Sequence, residues 1–170
     1  MNTSTTTITD RLIAELRTEA ATTRRVLERV PEDQLSWKPH PKSMSIGQLA
    51  LHIAGLPQGI AILVTELSVE APVVPLQEAR SRSEILAALD QSMKTAVEKL
   101  SEWGDEGLAA EWTLTAGGEV LVVQPRGEVV RMLMFNHWYH HRGQLTVYLR
   151  LLDIPVPPVY GPTADENPFG

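Results

Sequence analysis

His137 and His141 stand four residues apart in the stretch His137-Trp138-Tyr139-His140-His141-Arg142-Gly143-Gln144-Leu145. On a helix, residues four apart share one face, one turn from each other. Two imidazoles so placed can clamp a metal ion and still need a third ligand. Three of the chain's five histidines fall within this stretch, and His52 is the distant partner best placed to complete the set. There is no cysteine, so disulfides, cysteine nucleophiles and thiolate ligands are excluded, and a metal site must draw on His, Asp or Glu. Closed structural zinc sites usually include cysteine. Three histidines instead form an open site, with a position left for water or substrate. All-nitrogen ligation suits Zn²⁺ or Ni²⁺. Without an ion such a cluster is poorly satisfied, because each neutral imidazole carries one donor and one acceptor, and burying either unpaired costs about 1–3 kcal/mol. The plainer reading is a surface histidine pair and a satisfied core histidine. Joint placement on the inner faces of two helices favours the clamp.

Those faces follow from periodicity. Leu12, Ile13, Leu16, Ala20, Thr23, Leu27 and Val30 recur at helical spacing, which predicts a first helix over about 9–30, capped by Thr9 or Asp10 and ended near Pro31. Ser45 can cap a second helix with an inner stripe from Ile46 to Leu67 that includes His52. Pro57 lies inside this pattern, removes the hydrogen bond to the Ile53 carbonyl and predicts a kink just after His52. Ser81 and Glu84 form a capping box ahead of a third helix running to Trp103. Trp112 to Thr115, Gly117-Gly118 and Val120 to Val123 read as a short hairpin. A fourth helix over about 128–152 carries His137 and His141 inward, and the prolines after Asp153 end it. The expected architecture is all-α: a four-helix bundle with long connections and a short β-hairpin before the last helix. Residues 1–8 read as a flexible N-terminus, 9–165 as one domain and 166–170 as a C-terminal tail.

Around the clamp, three residues are catalytic candidates. Arg142 can hold an anionic substrate or form a salt bridge. Gln144 and Tyr148 follow the ligand stripe and can support the ligands from behind, with core packing equally open for Tyr148. His140 points about 100° away from His141 and is read as a bystander. His40 lies in a solvated loop, and Trp37 anchors that loop on the helices.

Net charge is −6 and the sequence pI about 5.4, which argues against a nucleic-acid partner. The N-terminus lacks a signal-peptide pattern, and no apolar run approaches the roughly 20 residues of a membrane span. These features predict a cytoplasmic protein without membrane partners.

Trp37-Lys38-Pro39, the segment Ser45 to Ala54, the segment Asn136 to Leu145, Tyr148-Leu149-Arg150 and the stretch Pro155 to Gly161 together resemble the DinB/YfiT family, over about residues 9–165. The H-x-x-x-H-R-G-Q-L segment is the most specific of these. The resemblance implies a four-helix bundle, a three-histidine metal site made by His52, His137 and His141, zinc or nickel as the metal, and a homodimer. Characterised relatives in the wider superfamily include thiol-dependent S-transferases and a mycothiol-dependent maleylpyruvate isomerase. The leading expectation is therefore a metal-dependent S-transferase using a low-molecular-weight thiol on a small molecule. The electrophile pocket would be bounded by the 31–45 loop and the hairpin. Metal-assisted hydrolysis and a non-catalytic, metal-binding stress-response module are the alternatives.

Overall fold

A computed structural model describes residues 6–169. Most of the expected flexible N-terminus therefore lies outside the described residues. The first helix, α1 (Ile8–Leu27), starts earlier than expected: Thr7 is its cap, accepting from the Asp10 amide while the Asp10 carboxylate accepts from the Thr7 amide. Thr9 is already helical. Its amide and hydroxyl donate to Asp105 at 2.9 and 2.8 Å. That carboxylate sits just after Gly104, whose φ of 58° and ψ of −171° interrupt α3 (Arg82–Ala109). Only glycine adopts this conformation readily, so the break directs Asp105 onto the positive end of α1.

Ser45 and Gln48 form the capping box of α2 (Ile46–Leu63). Pro57 is accommodated within the helix. Its missing N–H leaves the Ile53 carbonyl without the usual partner, and the Trp138 indole donates to that carbonyl instead, at 2.8 Å. One residue on, the Gln58 amide donates to the Ser92 hydroxyl of α3 at 2.9 Å. The proline thus turns two helix-internal bonds into ties to neighbouring helices. Trp138→Phe should destabilise the protein by about 2–4 kcal/mol, from an orphaned carbonyl and a void beside a fully buried ring. Adding Pro57→Ala should recover part of that loss, because the new amide can serve Ile53. Urea unfolding of both variants and the parent would measure it. Equal losses in the single and double variants would mean that the bond contributes nothing.

Four long helices dominate among the described residues, joined by a small sheet. Helices α1 and α2 each pack on α3 and on the last helix, which runs from His137 to Leu151. The expected hairpin has a third member. Strand β1 (Ser68–Glu70) runs parallel to β2 (Glu111–Ala116), which pairs antiparallel with β3 (Glu119–Pro125), giving the order β1-β2-β3. Gly117 and Gly118 both have positive φ, the conformation a two-residue hairpin turn requires. A long-range parallel pairing of three residues leaves no periodic trace, which is why β1 was not legible.

The last helical stretch is not α-helical throughout. A short α4 (Arg126–Val129) precedes a π-helical segment, Val130–Asn136, and α5 (His137–Leu151) begins at the first clamp histidine. The Arg126 guanidinium is buried. It donates to the carbonyls of Val64, Thr65 and Gly107, so it satisfies the C-terminal end of α2 and fixes where the final helical stretch begins. The chain end is tied down as well: Asp165 pairs with Arg150, and Glu166 with Arg29.

Helix α2 is more apolar than run length suggested. Its 18 residues have a mean hydropathy of 1.4, enough by length and composition for a membrane span, and half of them are buried inside the protein. Both faces of α2 are used: Leu49, Ile53 and Leu56 enter the core, and a second apolar face borders the cavity described below.

Candidate metal centre

His52 comes from the middle of α2, His137 from the first position of α5 and His141 from one turn later. Ring centroids are 5.5 Å apart for His52 and His137, 4.7 Å for His52 and His141, and 4.4 Å for His137 and His141. One nitrogen from each ring lies within 4.8 Å of the others. The Nε2 atoms of His137 and His141 are 2.6 Å apart. Two lone pairs cannot face each other at that distance, so one nitrogen must carry a proton or both must share a cation. His141 Nδ1 pairs with Gln144 Oε1 at 2.7 Å. An amide oxygen only accepts, so Nδ1 holds the proton and Nε2 presents its lone pair to the cluster. His137 Nδ1 is buried without a partner. Three imidazoles therefore meet with too few partners for their nitrogens, a deficit that a divalent cation would relieve. Ligands of one tetrahedral zinc stand about 3.3 Å from each other, so a slight opening of the His137–His141 pair would admit it. The cluster could hold a divalent metal ion.

The electrostatics suit this. Burial lowers the pKa of His52, with the His137 charge as the smaller cause. Burial likewise lowers that of His137, followed by the charge on His140. His141 is pushed down to about 4, chiefly by burial and then by its two cluster neighbours, against the opposing effect of Gln144. All three rings are neutral at pH 7, the form that binds metal. A pH dependence of the metal-free protein follows. Above about pH 6.5 His141 is neutral both folded and unfolded. Below that the unfolded chain takes up a proton that the folded chain refuses, so stability falls with pH until about 4. At about 1.4 kcal/mol per unit this reaches roughly 3 kcal/mol. Denaturant unfolding between pH 7.5 and 4.5 should show the loss, and His141→Gln should reduce it. A variant with the parent's full pH dependence would refute this assignment.

Two cavities flank His52. The larger, about 640 Å³, lies between α2 and the connection after β1, lined by Leu51, Gly55, Leu56, Gly59, Ile60, Ile62, Leu63, Pro72 and Val74, with His52 and His137 at its inner end. The smaller, about 320 Å³, is lined by Gln48, Leu51, His52, Gly55, Pro75, Leu76, Gln77, Glu84 and Ala88. The pocket is therefore not bounded by the 31–45 loop and the hairpin. The wall opposite α2 is the 72–77 stretch, a segment that reads in sequence only as an extended connection. The signal for it was the second apolar face of α2, which no helix covers.

The other candidates separate. Gln144 touches His141 directly and fixes its ring. Tyr148 stands edge-on to Trp37 at 5.7 Å, and its hydroxyl reaches the Met44 carbonyl at 3.4 Å, so it holds the loop against the helix. Arg142 is fully buried and committed elsewhere: to the Glu19 carboxylate at 2.6 Å, the Thr23 hydroxyl at 3.0 Å and the Tyr160 hydroxyl at 2.6 Å. It lines neither cavity, so the structure does not place it where it could hold an anionic substrate. His140 is exposed with its ring 5.1 Å from that of His141, and His40 is exposed in its loop.

The family model described as the DinB family matches residues 1–167. This chain belongs to the DinB family. Among curated proteins it is similar to the uncharacterized YrdA of Bacillus subtilis strain 168, at 27% identity over 159 residues that cover 92% of this chain and 90% of YrdA. Among solved structures, a DinB-like protein from Bacillus cereus superposes with a TM-score of 0.69 at 25% identity, covering 91% of this chain and 99% of that one. The DinB-like protein YjoA from Bacillus subtilis gives a TM-score of 0.67 at 21% identity, with coverages of 88% and 96%. These likenesses establish a DinB-like fold; they name no reaction.

Proposed function

We propose that this DinB-family protein is a metal-dependent S-transferase whose centre is made by His52, His137 and His141, and that it joins a low-molecular-weight thiol through its sulfur to a small-molecule electrophile, the S–H bond breaking and its proton passing to the adduct or to the group displaced. The observation that carries the reading is the convergence of three neutral imidazoles at the inner end of a cavity, in a chain with no thiol of its own. A bound Zn²⁺ or Ni²⁺ would favour the thiolate, the nucleophilic form of the incoming thiol. The chain's own residues do the rest. His52 supplies a ligand from α2 and the other two supply a fixed pair from α5, so the site depends on the packing of two helices. Gln144 holds His141 in the tautomer that presents Nε2. The apolar walls of the larger cavity give the reacting atoms a low-polarity surface on one side.

Around this centre we read the four long helices as a four-helix bundle, the assembly as a homodimer and the location as cytoplasmic, with a small-molecule substrate and neither nucleic acid nor membrane as partner. Hydrolysis is the weaker reading. Among the described residues Glu84 is the only carboxylate lining either cavity, and both of its oxygens accept from Arg80.

The test has two stages. Elemental analysis of tag-free protein purified without chelator should find about one divalent metal per chain. The metal-loaded protein should then turn over electrophiles only when a low-molecular-weight thiol is present. Metal-free protein that stays inactive on metal addition would overturn the enzyme reading. Turnover of esters or amides without thiol would replace it with hydrolysis.

A further inference from the structure

The two cavities meet at His52, yet they are chemically different. Among the described residues the larger one has no carboxylate, ammonium or guanidinium in its wall, and its only polar side chains are the two histidines. A charged group moved there from water would lose its hydration with no charged side chain in the wall to replace it. The smaller cavity is lined by polar side chains, Gln48, Gln77 and Glu84; the Gln48 oxygen already accepts from the Ser45 amide and Glu84 is paired with Arg80, which leaves the Gln48 and Gln77 amide groups to meet a ligand.

The width of the larger cavity is set by what α2 omits. Gly55 and Gly59 lie one turn apart on its wall, and a Cβ added at either meets nothing within 4 Å. Apart from proline, glycine is the weakest helix former, so two glycines in an 18-residue helix weaken it where neither tight packing nor a positive φ requires them. Their effect is to keep the cavity open beside His52. At about 640 Å³ the cavity is of the size that encloses a drug-sized molecule.

We infer that the cavity between α2 and the 72–74 connection binds an uncharged, predominantly apolar small molecule against His52 and His137, with Gly55 and Gly59 setting the size accepted. The Gln48–Gln77–Glu84 cavity takes the polar co-substrate on the other side of His52. Pairing the cavities as two substrate sites rests on the S-transferase reading above; the apolar site stands on its lining alone.

Binding can be read without turnover. The full chain is titrated with a neutral naphthylamine fluorophore and with its sulfonated, anionic analogue, with and without Zn²⁺. Parent protein is compared with Gly59→Leu and with Gly143→Leu, a control on the exposed side of α5 where an added Cβ also meets nothing and no cavity is lined. Both substitutions favour helix, so unfolding midpoints should stay level or rise. The neutral probe should bind the parent and Gly143→Leu once per chain, at least tenfold more tightly than the anion, and Gly59→Leu should weaken it at least tenfold. Equal binding by Gly59→Leu and the parent would overturn the inference, as would equal binding of the anion by the metal-free protein. So would probe uptake that tracks dissociation of an oligomer, because the cavity would then be an interface between copies. Probe binding by a protein with no metal affinity would remove the enzyme reading and leave this one standing; metal binding without probe binding would do the reverse.

Discussion

His52→Ala should weaken Zn²⁺ binding by at least about a hundredfold and abolish the rise in unfolding temperature that the metal gives the parent. Loss of groups that merely orient metal ligands typically costs 10–100-fold in affinity, and His52 would be a ligand itself, the only one from α2. At a free metal concentration a hundred times the parent's Kd, binding stabilises the fold by about 2.7 kcal/mol; the variant should show almost none of this. Its metal-free stability should change little, because His52 is only half-buried and sits at a cavity edge rather than in the packed core. Calorimetric titration and thermal melts with and without metal make the comparison. A variant with the parent's affinity would show that the three-histidine cluster is not the metal site.

Arg142→Met should destabilise the fold by about 3–5 kcal/mol, the usual consequence of breaking a buried ion pair by removing one partner. The Arg142 side chain is 2% exposed and that of Glu19 13%, so the orphaned carboxylate would have little water to turn to. The guanidinium also joins α1, through the Glu19 carbonyl and Thr23, to the C-terminal segment, through Tyr160. Adding Glu19→Gln should recover much of the loss, since the pair then leaves together. Denaturant unfolding of the two single variants and the double variant gives the coupling directly. A stable Arg142→Met protein with a raised KM for an anionic substrate would return Arg142 to a substrate-binding role.

Much of this molecule is local, and the local part was legible. Ser45 with Gln48 and Ser81 at its cap position announce helix starts because their side chains answer amides two or three residues on. The i, i+4 histidines announce a shared face for the same reason of short range. Gly117-Gly118 announces a turn because few other residues reach its dihedral angles. The long-range features were not legible. The three-residue β1 pairs with a strand more than forty residues away. The π-helical segment before His137 has the same apolar spacing as an α-helix. Arg142 belongs to a motif next to a ligand, and only packing shows that its guanidinium faces α1. Pro57 predicted an orphaned carbonyl, and the tertiary fold supplied Trp138 to fill it.

By itself, then, the sequence determined the helical character, the placing of His137 and His141 on one helix face, and the exclusion of cysteine chemistry. Each follows from residue type and spacing within a few turns of chain. The tertiary structure decided that the His52 ring reaches the other two, that the chain between β1 and α3 rather than the 31–45 loop walls the cavity, and that Arg142 holds the fold together. Those outcomes depend on how helices distant in sequence pack, and packing is settled by the summed burial and pairing of many groups, which no short stretch of sequence encodes.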